Sequence, residues 1–317
     1  MNNKVVTITL NPALDLTGSL NTLNTGSVSL VNHSDFHAAG KGVNVAKVLS
    51  DLGAQVTVTG FLGEDNQELF CQLFEQINAN DHFVRVKGST RINVKLVEQD
   101  GTVSDINFPG VAVDAQAIEA FEQTLETLCQ QHEYFVFAGS LPQGVTPEQC
   151  AQWIEFLQQR GKKVLFDSSR AALKAGLSAT PWLIKPNDEE LAEFIGRDIN
   201  TRQEIIEVAE ELSLTGIENV VVSLGAKGVM WLNQSEWLSA QPPKMEVVST
   251  VGAGDTLVAG MCWGHMQQMD KPQLLQFATA LSAMAVSQVG VGVNDLSALQ
   301  QLITKTELNP ISSLDDE

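Results

Sequence analysis

The chain has 317 residues, 44% of them hydrophobic and 18% charged, the make-up of a folded protein with a large core. Against 38 acidic residues stand only 19 basic ones, and the formal charge of −19 argues against nucleic acid or an anionic membrane as partner. No apolar run approaches the ~20 residues of a membrane span, the start reads as a strand rather than a leader, and four cysteines lack C-x-x-C spacing. A cytoplasmic protein is expected, with free thiols buried at Cys71, Cys129 and Cys150 and neither a disulfide framework nor a zinc site.

In chain order, Val5 to Leu10 reads as a strand apolar on both faces, and the same pattern returns at Gln55 to Gly60, Tyr134 to Ala138, Lys163 to Asp167, Trp182 to Lys185 and Asn219 to Ser223. Amphipathic segments lie near Asn44 to Leu52, Asn66 to Gln76, Asp114 to Gln130, Thr146 to Arg160, Asp188 to Phe194 and Arg202 to Leu214. After Asp255 the sequence reads as almost wholly helical, through Leu274 to Gln288 and Asp295 to Thr304, before a frayed acidic tail at Ser312 to Glu317. This β-α-β rhythm predicts an α/β fold with a doubly wound, mostly parallel sheet, whose ligands gather at the carboxyl ends of the strands.

Two stretches leave that rhythm. Residues 14–37 and 85–110 carry β-type alternation with turn signals, as in Arg91-Ile92-Asn93-Val94-Lys95-Leu96-Val97 followed by Asp100-Gly101. They are expected to pair into a small sheet outside the main layer, either a lid over a strand-end site or a plain edge extension. The main domain then comprises 1–13, 38–84 and 111–317.

Glycine clusters mark two places for chemistry. Val251-Gly252-Ala253-Gly254-Asp255 precedes an apolar helical run, so its backbone N–H groups would be uncovered and suited to a phosphate. A carboxylate at Asp255 would repel a bound phosphate unless it handles the proton of the attacking group; the plainer alternative is an ordinary helix cap. The earlier cluster, Ala38-Ala39-Gly40-Lys41-Gly42-Val43-Asn44, is neither a Walker A loop nor a dinucleotide fingerprint. It offers a closely approachable backbone, one cation and one amide at a helix start. No strand is followed by a complete G-x-G-x-x-G, which weighs against a nucleotide-linked oxidoreductase.

Together, Ala38 to Ala46 and Ser249 to Asp255 resemble, in order and separation, the A-G-G-K-G-x-N-x-A and D-T-x-G-A-G-D signatures of the ribokinase-like, or PfkB, carbohydrate kinases. Ala39 and Ser249 depart from them. The resemblance spans nearly the whole chain. Asn11-Pro12-Ala13-Leu14-Asp15 is similar to an element of the branch acting on phosphorylated ketohexoses, as are Thr90 to Lys95, Gly139-Ser140-Leu141-Pro142 and Phe166-Asp167-Ser168-Ser169-Arg170.

That resemblance implies ATP-dependent phosphorylation of D-fructose 1-phosphate at its 6-hydroxyl, with tagatose 6-phosphate or fructose 6-phosphate as alternative acceptors. A non-catalytic sugar-phosphate sensor is the reading from another class. Asp255 would be the general base, with Gly252, Ala253 and Gly254 presenting N–H groups to the transferring phosphoryl. Lys185, Asn187, Ser223, Gly225, Gly228 and Gly254 would hold ATP. Asn187 and Glu190 would hold Mg²⁺ through water, although Asn187-Asp188-Glu189-Glu190 alone reads simply as a capped acidic helix start. Sugar contacts would come from Asp15, Gly40, Lys41 and Asn44, phosphate contacts from Arg91 with Lys41 and Ser140, and more weakly from Arg170. A homodimer joined through the lid is likewise implied.

Overall fold

The computed structural model describes residues 3–311; the expected tail at 312–317 lies outside them. Its main sheet has eleven strands. The first, Lys4–Thr9, lies mid-sheet between Gln55–Gly63 and Tyr134–Ala138, both parallel to it. Beyond Tyr134–Ala138 follow Lys163–Asp167, Leu183–Ile184 and Asn219–Ser223, still parallel. The chain therefore runs outward to one side of its first strand and then to the other, and the crevice at such a reversal is where open α/β sheets bind ligands.

Alternation along the strands explains the layering. Val6, Ile8, Phe135 and Phe137 point into one apolar core, with Phe121 of the helix Ala115–Cys129 and Trp153 and Ile154 of Pro147–Gln158. Val5, Val136 and Ala138 point into the other, with Val45 and Val48 of Lys41–Asp51 and Leu257, Val258 and Met261 of Ala253–Met266. Strands covered by helices on both faces must be apolar throughout, which is how these short runs announce themselves.

The mostly parallel sheet ends in an antiparallel edge: Val229–Asn233, Glu236–Gln241 and Glu307–Pro310 add to Asn219–Ser223, the last of them from the otherwise helical region after Asp255. Two expectations need correction. Arg170–Ser178 is a helix that the pattern did not announce. Cys71 is exposed, whereas Cys129, Cys150 and Cys262 are buried; all four are free thiols.

A separate four-stranded sheet is built from Ala13–Leu20, His33–Ala39, Ile92–Glu98 and Val103–Ile106. Register sorts its two faces. Asp15 lies opposite both His37 and Asn93, and Lys95 opposite both Thr17 and Asp105, on one polar face. On the other face Leu16 meets Phe36 and Val94, and Val94 meets Ile106, with Phe36 and Ile106 exposed. Val84–Val86 pairs with Gln55–Gly63, so Arg85 and Val86 sit on that strand rather than on the small sheet.

Candidate active site

A cleft of about 1100 Å³ opens between the carboxyl ends of the parallel strands and the polar face of the small sheet. The helix Ala253–Met266 begins on its wall. Gly252 precedes it with a φ of 78°, a left-handed conformation that glycine adopts readily, and a Cβ there would lie 2.2 Å from Val291 Cγ1. No side chain caps this helix: the Ala253 N–H makes a long 3.4 Å contact with the Thr250 carbonyl, and no side chain takes the N–H groups of Gly254 and Asp255 at the cleft. Asp255 is the third helical residue and does not serve as the cap. Its buried carboxylate instead accepts a 2.7 Å hydrogen bond from Asn44 Nδ2.

Burial, followed by the charge of Asp167, pushes the Asp255 pKa up to about 6; Lys41, Asn44 and Lys185 limit the rise. A base with that pKa is mostly ionised at neutral pH yet still basic enough to take a proton. Asn44, expected to bind sugar hydroxyls, lines the cleft, and its amide N–H holds the Asp255 carboxylate in place.

Asp167 ends the strand Lys163–Asp167 and is 2% exposed. Lys41 Nζ lies 3.2 Å from one of its oxygens and Lys185 Nζ 3.4 Å from the other. Burial works against its charge, but Lys185 and Lys41 overcome that cost and hold its pKa below the usual carboxylate range. Burial likewise opposes charge on Lys41, and Asp167, then Asp255 and Glu190, outweigh it, leaving the ammonium more firmly protonated than usual. A Cβ on Gly254 would lie 3.4 Å from Lys185 Nζ, so one buried cation stands directly beside the open helix start. No role was expected for Asp167. Its signals were an acidic residue closing an apolar strand at the sheet's ligand-binding end and its place in the Phe166-Asp167-Ser168-Ser169-Arg170 string.

Lys185, Asn187, Ser223, Gly225 and Gly228 all line the same cleft. Gly228 has a φ of 98°, and a Cβ there would lie 2.1 Å from the Ala240 carbonyl; its need for glycine comes from the neighbouring strand, not from a ligand. Asn187 Oδ1 accepts from Glu190 N–H at 2.7 Å and Glu190 Oε2 from Asn187 N–H at 3.0 Å, a reciprocal capping box. Asn187's side-chain oxygen is thus engaged, while Glu190 still faces the cleft with its pKa raised by burial and by Asp167. The rest of this end is walled by Pro242, Pro243, Met245, Thr279, Ala283 and Val286, none anticipated from sequence.

At the opposite end Asp15, Arg91 and Asn93 reach in from the small sheet beside Gly40 and Lys41. Asn93 Nδ2 donates to Asp15 Oδ1 at 3.2 Å, and burial raises the Asp15 pKa. Arg91 donates to the carbonyls of Asn11 and Pro12 at 3.0 and 3.3 Å and to Ser140 Oγ at 3.4 Å. Its bonded partners among the described residues are neutral, and burial lowers its pKa. Ser140 touches Arg91 from the rim of the cleft. Arg170 borders a separate small hollow with Lys174, Glu190 and Glu193, away from the acceptor end.

Comparison with known proteins places the fold in a family. The family model described as "pfkB family carbohydrate kinase" matches residues 3–298. A protein of Vibrio cholerae named 1-phosphofructokinase is 68% identical over 313 residues, covering 98% of this chain and 99% of its own. The Escherichia coli protein of the same name is 47% identical, covering 98% of this chain and 100% of its own. A solved structure of Escherichia coli phosphofructokinase-2, in complex with substrates and products, superposes with a TM-score of 0.87 at 26% identity, covering 95% of this chain and 98% of its own.

Proposed function

The chain belongs to the pfkB family of carbohydrate kinases, and on that premise we propose that it transfers the γ-phosphoryl of ATP to the 6-hydroxyl of D-fructose 1-phosphate, giving fructose 1,6-bisphosphate and ADP. The named relatives carry the choice of fructose 1-phosphate, and one observation carries the choice of a sugar phosphate as acceptor. The cleft that holds Asp255 at an uncapped helix start also holds, at its far end, an Arg91 guanidinium bonded only to neutral groups. A sugar with phosphate at one end and a hydroxyl at the other fits both.

In this reading Asp255 accepts the proton of the 6-hydroxyl as the sugar oxygen bonds to the γ-phosphorus and the bond from that phosphorus to the β–γ bridging oxygen breaks. Gly252, Ala253 and Gly254 supply N–H groups to the phosphoryl oxygens, and Lys41 and Lys185 add fixed positive charge. Asp15 binds sugar hydroxyls, and Arg91 with Ser140 binds the existing phosphate. Glu190, with Asn187 beside it, fits water-mediated contact with Mg²⁺, an ion that keeps much of its hydration shell and would neutralise charge on the polyphosphate.

Initial rates with fructose 1-phosphate, fructose 6-phosphate and tagatose 6-phosphate, each at limiting concentration, test the assignment. A preference for fructose 6-phosphate would overturn it. The exposed apolar face of the small sheet, with Phe36, Ile92 and Ile106, supports a homodimer through the lid, and sedimentation as a monomer at micromolar protein would count against that. A cytoplasmic location accords with this activity; no helix among the described residues is long and apolar enough to cross a membrane.

A further inference from the structure

Asn11 follows the central strand at the point where the sheet reverses direction, and it is 8% exposed. Its Nδ2 donates to Ser140 Oγ at 3.1 Å and to the Leu141 carbonyl at 3.2 Å. A carbonyl only accepts, so Leu141 fixes which way the amide faces: NH₂ toward Ser140, oxygen away. Gly110, where the second excursion rejoins the main domain, packs against that oxygen so closely that a Cβ would lie 1.9 Å from it. Asn11 therefore has little freedom to turn.

This fixes the Ser140 hydroxyl. Its oxygen has two lone pairs, and the two nitrogen donors that reach it are Asn11 Nδ2 and, at 3.4 Å, Arg91 Nη2. With both taken, the hydroxyl's proton must be donated outward. Arg91 is itself held by the main-chain carbonyl of Asn11. One buried residue thus sets, side by side, a guanidinium and a hydroxyl that can only donate. The complement of that pair is a group that only accepts, such as a phosphate dianion.

We propose that Asn11 is a positioning residue for the acceptor's phosphate: by making Ser140 an obligate donor beside Arg91, it sets the preference for a phosphorylated over an unphosphorylated ketose. The inference rests on the fructose 1-phosphate reading above and adds the residue that enforces it.

Asn11→Asp keeps the shape and reverses the hydrogen-bond polarity, since a carboxylate would capture the Ser140 proton and place negative charge beside Arg91. The KM for fructose 1-phosphate should rise about 30- to 100-fold while kcat at saturation and the KM for ATP stay within roughly threefold. The ratio of kcat/KM for fructose 1-phosphate to that for fructose should fall by the same factor. A general loss of structure would move both KM values together. Should Asn11→Asp fail to fold, the cycle Asn11→Ala, Ser140→Ala and the double variant decides. If Asn11 acts through Ser140, adding Asn11→Ala to Ser140→Ala should raise the KM for the sugar phosphate less than about twofold. Independent, multiplying effects, or an Asn11→Asp variant whose ratio stays within twofold of the parent, would overturn the proposal. A parent enzyme with no preference for the phosphorylated sugar would overturn the acceptor assignment as well, and that result is read from the parent alone.

Discussion

Asp255 and Arg91 face one cleft, yet they are held in different ways. Asp255 sits on a helix packed into the larger body of the protein, its neighbours Leu257, Val258, Ala259 and Met261 all buried, and its carboxylate is fixed by Asn44. The charges around it are already balanced, with Asp167 between Lys41 and Lys185. Arg91 borders a thin sheet whose outer face is apolar and open; it hydrogen-bonds only neutral acceptors, and the Asp15 carboxylate attracts it without a direct ion pair. The phosphoryl-transfer end is thus organised before substrate arrives, whereas the acceptor end keeps an incompletely matched charge for it. Preorganised charge serves the transition state, and an incompletely matched charge serves ground-state recognition.

Removing the base tests the first half of that contrast and carries the largest effect. Asp255→Asn keeps the shape and the Asn44 neighbour but cannot take the proton, so kcat should fall about 10²- to 10⁴-fold with the KM for the sugar phosphate little changed. A variant within about tenfold of the parent in kcat would remove Asp255 from the chemistry. Arg91→Ala tests the second half and should act on the other constant. Losing a charged hydrogen-bond donor is worth about 1.5–3 kcal/mol, so the KM for the sugar phosphate should rise ~10- to 100-fold with kcat nearly kept. Stopped-assay kinetics over a wide range of sugar phosphate read both; an Arg91→Ala variant that loses kcat and keeps KM would dissolve the distinction between the two ends.

The same contrast governs what the sequence could reveal. Elements defined by their own periodicity were legible, such as Tyr134–Ala138 or the capped helix Pro147–Gln158 with Thr146 and Gln149 in reciprocal contact. The hairpin Val229–Asn233 with Glu236–Gln241 was not. Its turn residues Gln234 and Ser235 have φ of 51° and 64°, a geometry that sequences usually signal with Asn-Gly or Asp-Gly. The helix at Lys41 begins earlier than expected because Gly40-Lys41-Gly42 looks like a breaker, although the core packs it firmly from Val43 onward. Within the site, Asp255, Lys41 and Arg91 were legible from residue type and motif. Asp167 and Asn11 were not, since their roles depend on partners far along the chain: Lys41 is 126 residues from Asp167, and Ser140 is 129 from Asn11.

The smallest expected effect lies along one helix of the core. His265, in the last turn of Ala253–Met266, contacts Trp182 and Trp231, and burial pushes its pKa down to about 4. Between about pH 4 and the unperturbed value near 6.5 the unfolded chain binds this proton and the folded one does not, so stability should rise with pH across that window. Asp255, raised to about 6 from 3.8, works in reverse: the folded state binds the proton more tightly, and stability should fall as pH rises from about 3.8 to 6. The two slopes largely cancel in the parent. Asp255→Asn removes one of them, so urea unfolding of that variant from pH 4.5 to 6 should show stability rising with pH more steeply than in the parent, by at most about 1.4 kcal/mol per unit. Identical slopes in the two proteins would mean that Asp255 is not held as an uncomfortable buried charge. The phosphoryl-transfer end would then be no more strained than the lid, and the preorganisation that separates the two ends would lose its energetic basis.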